Sequence, residues 1–422
     1  MAAVQAGPGI PIADGFRLAE AGRVVSAADI RASAESVAQA LRSAGCARLA
    51  VGPAAVRDLL VGLQAASATG ADLVLVRKGG DGLADAARQA GADHLLAAGS
   101  AVRLAPSGAP SVEPRIFLQT SGTTGTPKLV AQGVDRLTAR IGPGRSPVSW
   151  LLTYDPCGFA GLQVVLSAAI GGHRLAAAPG AGIGELARLA ATEGVTHVSG
   201  TPSFWRAFLV ALGVAALPLK AATLGGEAAD QAILDAVGTR FPDAAVRHIY
   251  ASTEAGVVFT VADGRAGFPA VWLDTGIDGV DLAISGNGTL SVRSPRTHGM
   301  GDAGWLDTGD LVRRDGDRML FAGRRDAVAN VGGVKVVPEE VEARILAVPG
   351  VHDALVRSKA NPITGAILVG EVVAAPGTDR TAIEAAVRSA LDGLPPAARP
   401  RVLKFVDQLA LTAAGKKDRR SA

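Results

Sequence analysis

Only two cysteines, Cys46 and Cys157, occur in 422 residues. They lie far apart, so no disulfide framework is implied and a reducing cytosol is the expected setting. No run of about 20 apolar residues, the length that spans a bilayer, is present. No charged-then-apolar targeting segment opens the chain. A cytoplasmic protein without a membrane span is therefore expected. The mean hydropathy of +0.28 comes largely from alanine and short core runs. A strong charge of one sign is also missing: 42 Lys and Arg against 39 Asp and Glu leave a net charge of +3. The basic residues are dispersed, so the charge implies no nucleic-acid partner. What the chain has is length and apolar content. At 48% hydrophobic residues it can bury the cores of two or three domains.

Apolar runs alternate with helical patterns in the first half. Ser26 and Asp29 have the spacing of a capping box. Ile30, Val37 and Leu41 then share one helix face, and Gly45 stops the helix. Leu49–Val51 and Leu73–Val76 read as strands. Leu83–Ala90 reads as a helix ended by Gly91. Another helix spans 184–193, followed by a strand at Val195–Val198. This alternation predicts a parallel, doubly wound sheet. Residues 270–325 differ: short alternating segments with Gly, Asp and Asn turns predict antiparallel strands or a small barrel. Beyond about 326 a compact α+β segment is predicted, with helices starting near Pro338 and Thr381.

The stretch Thr120-Ser121-Gly122-Thr123-Thr124-Gly125-Thr126-Pro127-Lys128 follows the predicted strand at Ile116–Leu118. Its glycines let the backbone approach an anion, and hydroxyls, N–H groups and one lysine crowd the same turn. That composition makes a phosphate cradle. The spacing excludes the P-loop of kinases and GTPases, which needs four residues between its first glycine and a Gly-Lys-Ser/Thr. Further segments follow in order: Leu224-Gly225-Gly226-Glu227, Tyr250-Ala251-Ser252-Thr253-Glu254, Trp305-Leu306-Asp307-Thr308-Gly309-Asp310 and Gly323-Arg324-Arg325-Asp326. Asn330-Val331-Gly332-Gly333-Val334-Lys335 and Leu411-Thr412-Ala413-Ala414-Gly415-Lys416-Lys417 complete the set.

Together these segments resemble the adenylate-forming superfamily, in its AMP-binding acyl-CoA synthetase and acyl-AMP ligase branch. The resemblance covers about residues 25–422 and is specific from 116 onward. It implies an α/β fold: a large N-terminal domain of doubly wound sheets with a small β-barrel-like subdomain, then a small α+β C-terminal domain. The implied division is 1–325 for the adenylation domain and 327–422 for a mobile C-terminal domain, with the hinge near Asp326. About 115 residues precede the phosphate loop, so the N-terminal region is expected to be shortened.

By resemblance, Thr120, Ser121, Gly122, Thr123, Thr124, Gly125 and Lys128 hold the ATP phosphates. Gly225, Gly226 and Glu227 form the adenine edge. Tyr250 stacks on the base, Thr253 reaches phosphate and Glu254 holds Mg²⁺, which favours one or two carboxylates plus nucleotide oxygens. Asp310 accepts from the ribose hydroxyls and Arg324 contacts the sugar. Gly332 and Gly333 line the tunnel for a thiol. Lys416 neutralises charge developing during adenylation. The family usually has an apolar residue after this lysine, where this chain has Lys417.

The implied reaction is ATP-dependent activation of a small-molecule carboxylic acid, with pyrophosphate release. Acyl transfer to CoA or to the phosphopantetheine of an acyl carrier protein follows. The acyl pocket is expected to include Tyr154, Asp155 and Phe159. Tyr154-Asp155 is closer to the aromatic–aspartate pair of amino-acid-activating members than to the aromatic–histidine pair of many acyl-CoA synthetases. Asn330-Val331-Gly332-Gly333 points the other way, to the acyl-CoA branch. A stand-alone adenylation enzyme for an amino or hydroxy acid is thus the alternative. A nucleotide-binding regulatory pseudo-enzyme is disfavoured, because Lys128, Glu254, Asp310, Arg324 and Lys416 are all present.

Overall fold

The structure is a computed structural model. It describes residues 10–108, 111, 113–144, 146–253, 255–294, 304–362, 364–412 and 415–419, except 121–127. Its contacts divide the chain into two compact units, Met1–Ser199 with Leu212–Ala221, and Gly200–Ala211 with Ala222–Ala422.

In the first unit a six-stranded sheet has the order Ser100–Arg103, His94–Ala97, Arg48–Val51, Asp72–Leu75, Ile116–Thr120, Lys128–Gln132. The four inner strands are parallel and both outer strands antiparallel. Parallel strands covered on both faces favour continuous aliphatic runs, and Leu73, Val74 and Leu75 are all buried. The covering helix Ala27–Ala44 forms for the reasons legible in its sequence. The Ser26 N–H donates to Asp29 Oδ2 at 2.9 Å, and the Asp29 N–H donates to Ser26 Oγ at 3.2 Å. Ile30, Ala34, Val37 and Leu41 face the core. Gly45, at φ +65°, ends the helix in the left-handed conformation. A second group of strands in this unit, Ser149–Leu151, Arg174–Ala177 and Arg17–Glu20, is parallel, with Arg23–Ser26 antiparallel beside it.

In the second unit, Ala245–Ser252 pairs antiparallel with Gly256–Val261. The 270–325 region forms the expected antiparallel sheet. Its order is Phe268–Pro269, Arg318–Arg324, Leu306–Asp315, Thr289–Arg293, Asp281–Ile284. Register shifts between Thr289 and Ser291 and between Leu311 and Val312 bend it around a core of Phe259, Phe268, Leu290 and Met319. Beyond it, Ala329–Val331 and Val334–Val336 form a tight hairpin. A three-stranded sheet follows, with Val351–Asn361 antiparallel and Val402–Phe405 parallel to the central Gly365–Ala374. Helices Pro338–Leu346 and Arg380–Leu391 bury Val341, Ile345, Ile383 and Val387 in the core of this segment. Pro338 sits in the first helical turn, where a missing N–H costs nothing. Asp379 caps the other helix by accepting from the Thr381 N–H at 2.9 Å. Among the described residues, no helix is long and apolar enough to cross a membrane.

Candidate active site

The strands that flank the expected phosphate loop in sequence pair in the first unit, with their end residues Thr120 and Lys128 in register. Ser121, Gly122, Thr123, Thr124 and Gly125 lie outside the described residues, as does Glu254. Thr253 follows the strand Ala245–Ser252 and is half-buried.

Asp155 is buried in the same unit. Its Oδ2 accepts from Arg77 Nε at 2.8 Å, and its Oδ1 accepts from the Cys157 N–H at 2.9 Å. Both oxygens of this carboxylate are therefore engaged by the protein. The Asp155 carbonyl also takes the Gly158 N–H at 3.0 Å. A Cβ on Gly161 would meet that same carbonyl at 2.0 Å, so the helix Phe159–Gly171 starts hard against the turn. Tyr154 is buried in the main core, and Phe159 is half-buried against it. Asp155 thus has the contacts of a turn-fixing residue, with Arg77 as the partner that sequence spacing did not reveal.

The second unit holds the remaining groups. The Tyr250 ring stacks with Phe259 at 5.2 Å and with Phe321 at 4.9 Å between centroids. Its hydroxyl donates to Asp310. Burial, followed by the charge and hydrogen bond of Asp310, pushes the Tyr250 hydroxyl well above its ordinary pKa, so the phenol stays protonated and donating. Asp310 also accepts from Arg324 Nη1 at 3.0 Å, while its N–H donates to Thr308 Oγ1 at 3.2 Å. Arg324 donates in addition to the Thr308 carbonyl at 3.0 Å and to Asp326 Oδ1 at 3.3 Å. The ribose-binding and hinge residues expected from the sequence are thus one connected set, Tyr250–Asp310–Arg324–Asp326. Gly323, at φ +138°, sits where a Cβ would meet Val337 Cγ1 at 2.6 Å and Glu339 Oε2 at 2.9 Å. Val337 and Glu339, beyond Asp326, therefore pack directly on this glycine.

Gly225 ends the strand Ala221–Gly225, and Gly226 follows at φ +82°. Glu227 Oε2 accepts from the Ser203 N–H at 3.1 Å, and its Oε1 accepts from the Lys417 N–H at 2.9 Å. Lys416 is exposed, with its N–H 3.3 Å from Thr412 Oγ1. Its side-chain stem lies along Gly226: a Cβ there would stand 3.2 Å from Lys416 Cε and 3.8 Å from Nζ. Thr201 Oγ1 donates to the Gly415 carbonyl. The two lysines of the doublet therefore differ in surroundings. Lys416 borders the strand-end glycine, whereas the Lys417 ammonium is buried, 2.9 Å from Asp353 Oδ1 and 3.6 Å from Glu342 Oε2.

Gly332 and Gly333 form the two-residue turn of their hairpin, at φ +58° and +88°. Left-handed backbone at both positions is what this turn type requires. Asn330 Oδ1 accepts from the Gly333 N–H at 2.9 Å, and both glycines are exposed.

Comparison with known proteins identifies the class that these parts define. Residues 16–295 match the family of AMP-binding enzymes, and residues 340–416 match the AMP-binding enzyme C-terminal domain. The chain belongs to the AMP-binding enzyme family, within the adenylate-forming superfamily. A probable 2-succinylbenzoate–CoA ligase of Mycobacterium tuberculosis is 29% identical over 329 residues, covering 72% of this chain and 82% of the relative. A salicylyl-CoA synthase / salicylate adenylyltransferase of a Streptomyces species is 28% identical, covering 78% and 65%. A medium/long-chain-fatty-acid–[acyl-carrier-protein] ligase of M. tuberculosis is 27% identical, covering 77% and 68%. In fold, the chain is similar to an anthranilate CoA ligase solved with anthranoyl-AMP. The TM-score is 0.77 at 17% identity, covering 96% of this chain and 93% of that one.

Proposed function

We propose that the protein activates a carboxylic acid lacking an α-ammonium group as its acyl-adenylate, then passes the acyl group to a thiol of CoA or of a carrier-protein phosphopantetheine. The observation that carries this reading is the placement of Lys416 along Gly226, in a chain that matches both parts of the AMP-binding family. A carboxylate is a poor acyl donor, because its leaving group would be oxide. Attack of a carboxylate oxygen on the ATP α-phosphorus expels pyrophosphate and converts that leaving group to AMP. Negative charge gathers on phosphoryl oxygens during the displacement, so the site needs positioning and cations rather than a strong base. Lys416 and Lys128 supply cations in this reading. Thr120 to Gly125, with Thr253, supply donors to the phosphates. Asp310 accepts from the ribose hydroxyls, held by Tyr250 and Arg324, and Gly225, Gly226 and Glu227 border the base. Glu254 is the carboxylate proposed for Mg²⁺, which when bound offsets phosphate charge.

In the second step the thiol sulfur attacks the acyl carbonyl and AMP leaves. The segment 327–422 turns about Asp326 in this reading, withdrawing Lys416 and bringing Gly332 and Gly333 to the thiol. The acid is read as a non-amino acid because Asp155 is engaged by Arg77 and the Cys157 N–H. Both of its oxygens already serve these internal donors, which supports a turn-fixing role over an ammonium grip. Aryl acids are the first class to test, since relatives named for 2-succinylbenzoate and salicylate are among the most similar. Two buried free thiols, Cys46 and Cys157, suit a reducing cytosol. The test is ATP–pyrophosphate exchange with a panel of aryl, fatty, short-chain and amino acids. Exchange with a non-amino class, lost in Lys416→Ala, is expected. Exchange with amino acids alone would overturn the substrate assignment. No exchange with any acid would overturn the activity.

A further inference from the structure

The reading of Lys416 as the adenylation lysine leaves its neighbour unexplained. Lys417 is a long cation whose side chain is 9% exposed. A buried ammonium is costly unless it is paired and hydrogen-bonded. Here it is both. Its Nζ lies 2.9 Å from Asp353 Oδ1 and 3.6 Å from Glu342 Oε2, and it donates to the Ala354 carbonyl at 2.5 Å. These charges outweigh the effect of burial and raise the Lys417 pKa above its ordinary value, so the ammonium stays charged.

The backbone of the same residue is tied elsewhere. The Lys417 N–H donates to Glu227, the residue that follows Gly226. Residue 417 thus has two anchors. Its side chain reaches the strand Val351–Asn361 and the helix Pro338–Leu346. Its backbone reaches the turn that borders Lys416. Arg206 extends the first anchor: it pairs with Asp230, stands 3.7 Å from Asp353 Oδ1 and donates to the His352 carbonyl at 3.3 Å.

We propose that Lys417 is a positioning residue for the first half-reaction: its ion pairs with Asp353 and Glu342, together with its backbone bond to Glu227, hold Lys416 against Gly226. Lys417 itself touches no substrate in this arrangement. Asp353, Glu342 and Lys417 all lie beyond Asp326, so that anchor travels with the C-terminal segment when it turns. The Glu227 bond and the Arg206 contacts to Asp353 and His352 span the hinge and must break. Lys417 is therefore needed for adenylation and dispensable for thiolysis, where Lys416 has left the site. The inference rests on the adenylation role of Lys416 proposed above.

The test compares the two half-reactions in Lys417→Met, which keeps length and removes charge. Misplacing a catalytic group by about 1 Å costs on the order of a hundredfold, and a loss of that size in ATP–pyrophosphate exchange is expected. Acyl transfer to CoA from chemically synthesised acyl-adenylate should stay within about twofold of the parent. Adding Asp353→Asn to Lys417→Met removes the carboxylate that has lost its ammonium and should recover part of the exchange. Asp353→Asn alone is the milder variant and should show the same selective loss. Equal loss of both half-reactions in Lys417→Met and in Asp353→Asn would overturn the proposal, since it marks a merely structural pair. Full exchange in Lys417→Met would overturn it as well. If the parent protein shows no exchange with any acid, the adenylation reading fails first and this inference with it. That outcome is distinct from a parent that exchanges normally beside variants that lose both steps together.

Discussion

Replacing Asp155 by alanine separates a structural aspartate from a substrate-gripping one. The carboxylate is buried and bonded to Arg77 Nε and the Cys157 N–H. Removing one partner of a buried pair costs about 3–5 kcal/mol. The Arg77 side chain is 30% exposed, so water recovers part of its solvation and about 2–3 kcal/mol is the better figure. For a unit of about 200 residues each kcal/mol lowers Tm by about 2–4 °C, which predicts a fall of roughly 4–12 °C. Thermal unfolding of the parent and Asp155→Ala, followed by circular dichroism, measures it. The ranking of acids by exchange should be the same in the variant that remains folded. An unchanged Tm together with a raised KM for an amino acid would refute the reasoning. Asp155 would then be a substrate contact.

Other changes probe the remaining parts. Asp310→Ala removes the acceptor of both Tyr250 and Arg324; losing hydrogen bonds to a charged group at about 1.5–3 kcal/mol should raise the KM for ATP roughly 10- to 100-fold in steady-state assays. Lys416→Ala should lower exchange by roughly 10²–10³, the usual effect of losing a transition-state charge partner, without shifting Tm, because its side chain is exposed. Asp93 is buried and accepts from Cys46 Sγ at 3.2 Å and from the Ala47 and Arg48 N–H groups, and it pairs with His94. Burial pushes its pKa up, but these donors outweigh burial and hold it below its ordinary value of 3.8. A depressed carboxylate contributes stability above its unfolded pKa and loses it as pH falls through the folded value. Asp93→Asn should therefore be less stable than the parent at pH 7, by about 1–3 kcal/mol in urea titration, and the gap should narrow below about pH 4.

Much of this fold was legible because its signals are local. Ser26, Asp29 and Gly45 mark both ends of one helix within twenty residues, and the structure uses all three. Pro338 and Thr381 likewise stand within the first turns of their helices. The alternating pattern after 270 became antiparallel strands because each pairs with a near neighbour in sequence. The connections that decide roles are long-range, and no spacing encodes them. Arg77 reaches Asp155 across 78 residues, and Lys417 reaches Glu227 across 190. The differing surroundings of the two adjacent lysines are not encoded in their spacing for that reason. Only the fold distinguishes the exposed Lys416 beside Gly226 from the buried Lys417 beside Asp353. The partner of Asp155, Arg77, is likewise visible only in the fold.

The central claim is that a carboxylate oxygen bonds to the α-phosphorus of ATP. The most direct measurement uses an acid labelled with ¹⁸O in its carboxylate, incubated with ATP, Mg²⁺ and CoA. Mass spectrometry of the products then locates the label. Acyl-adenylate chemistry predicts AMP carrying one ¹⁸O and unlabelled pyrophosphate. Label in inorganic phosphate with release of ADP would mean attack at the γ-phosphorus, and would contradict the account.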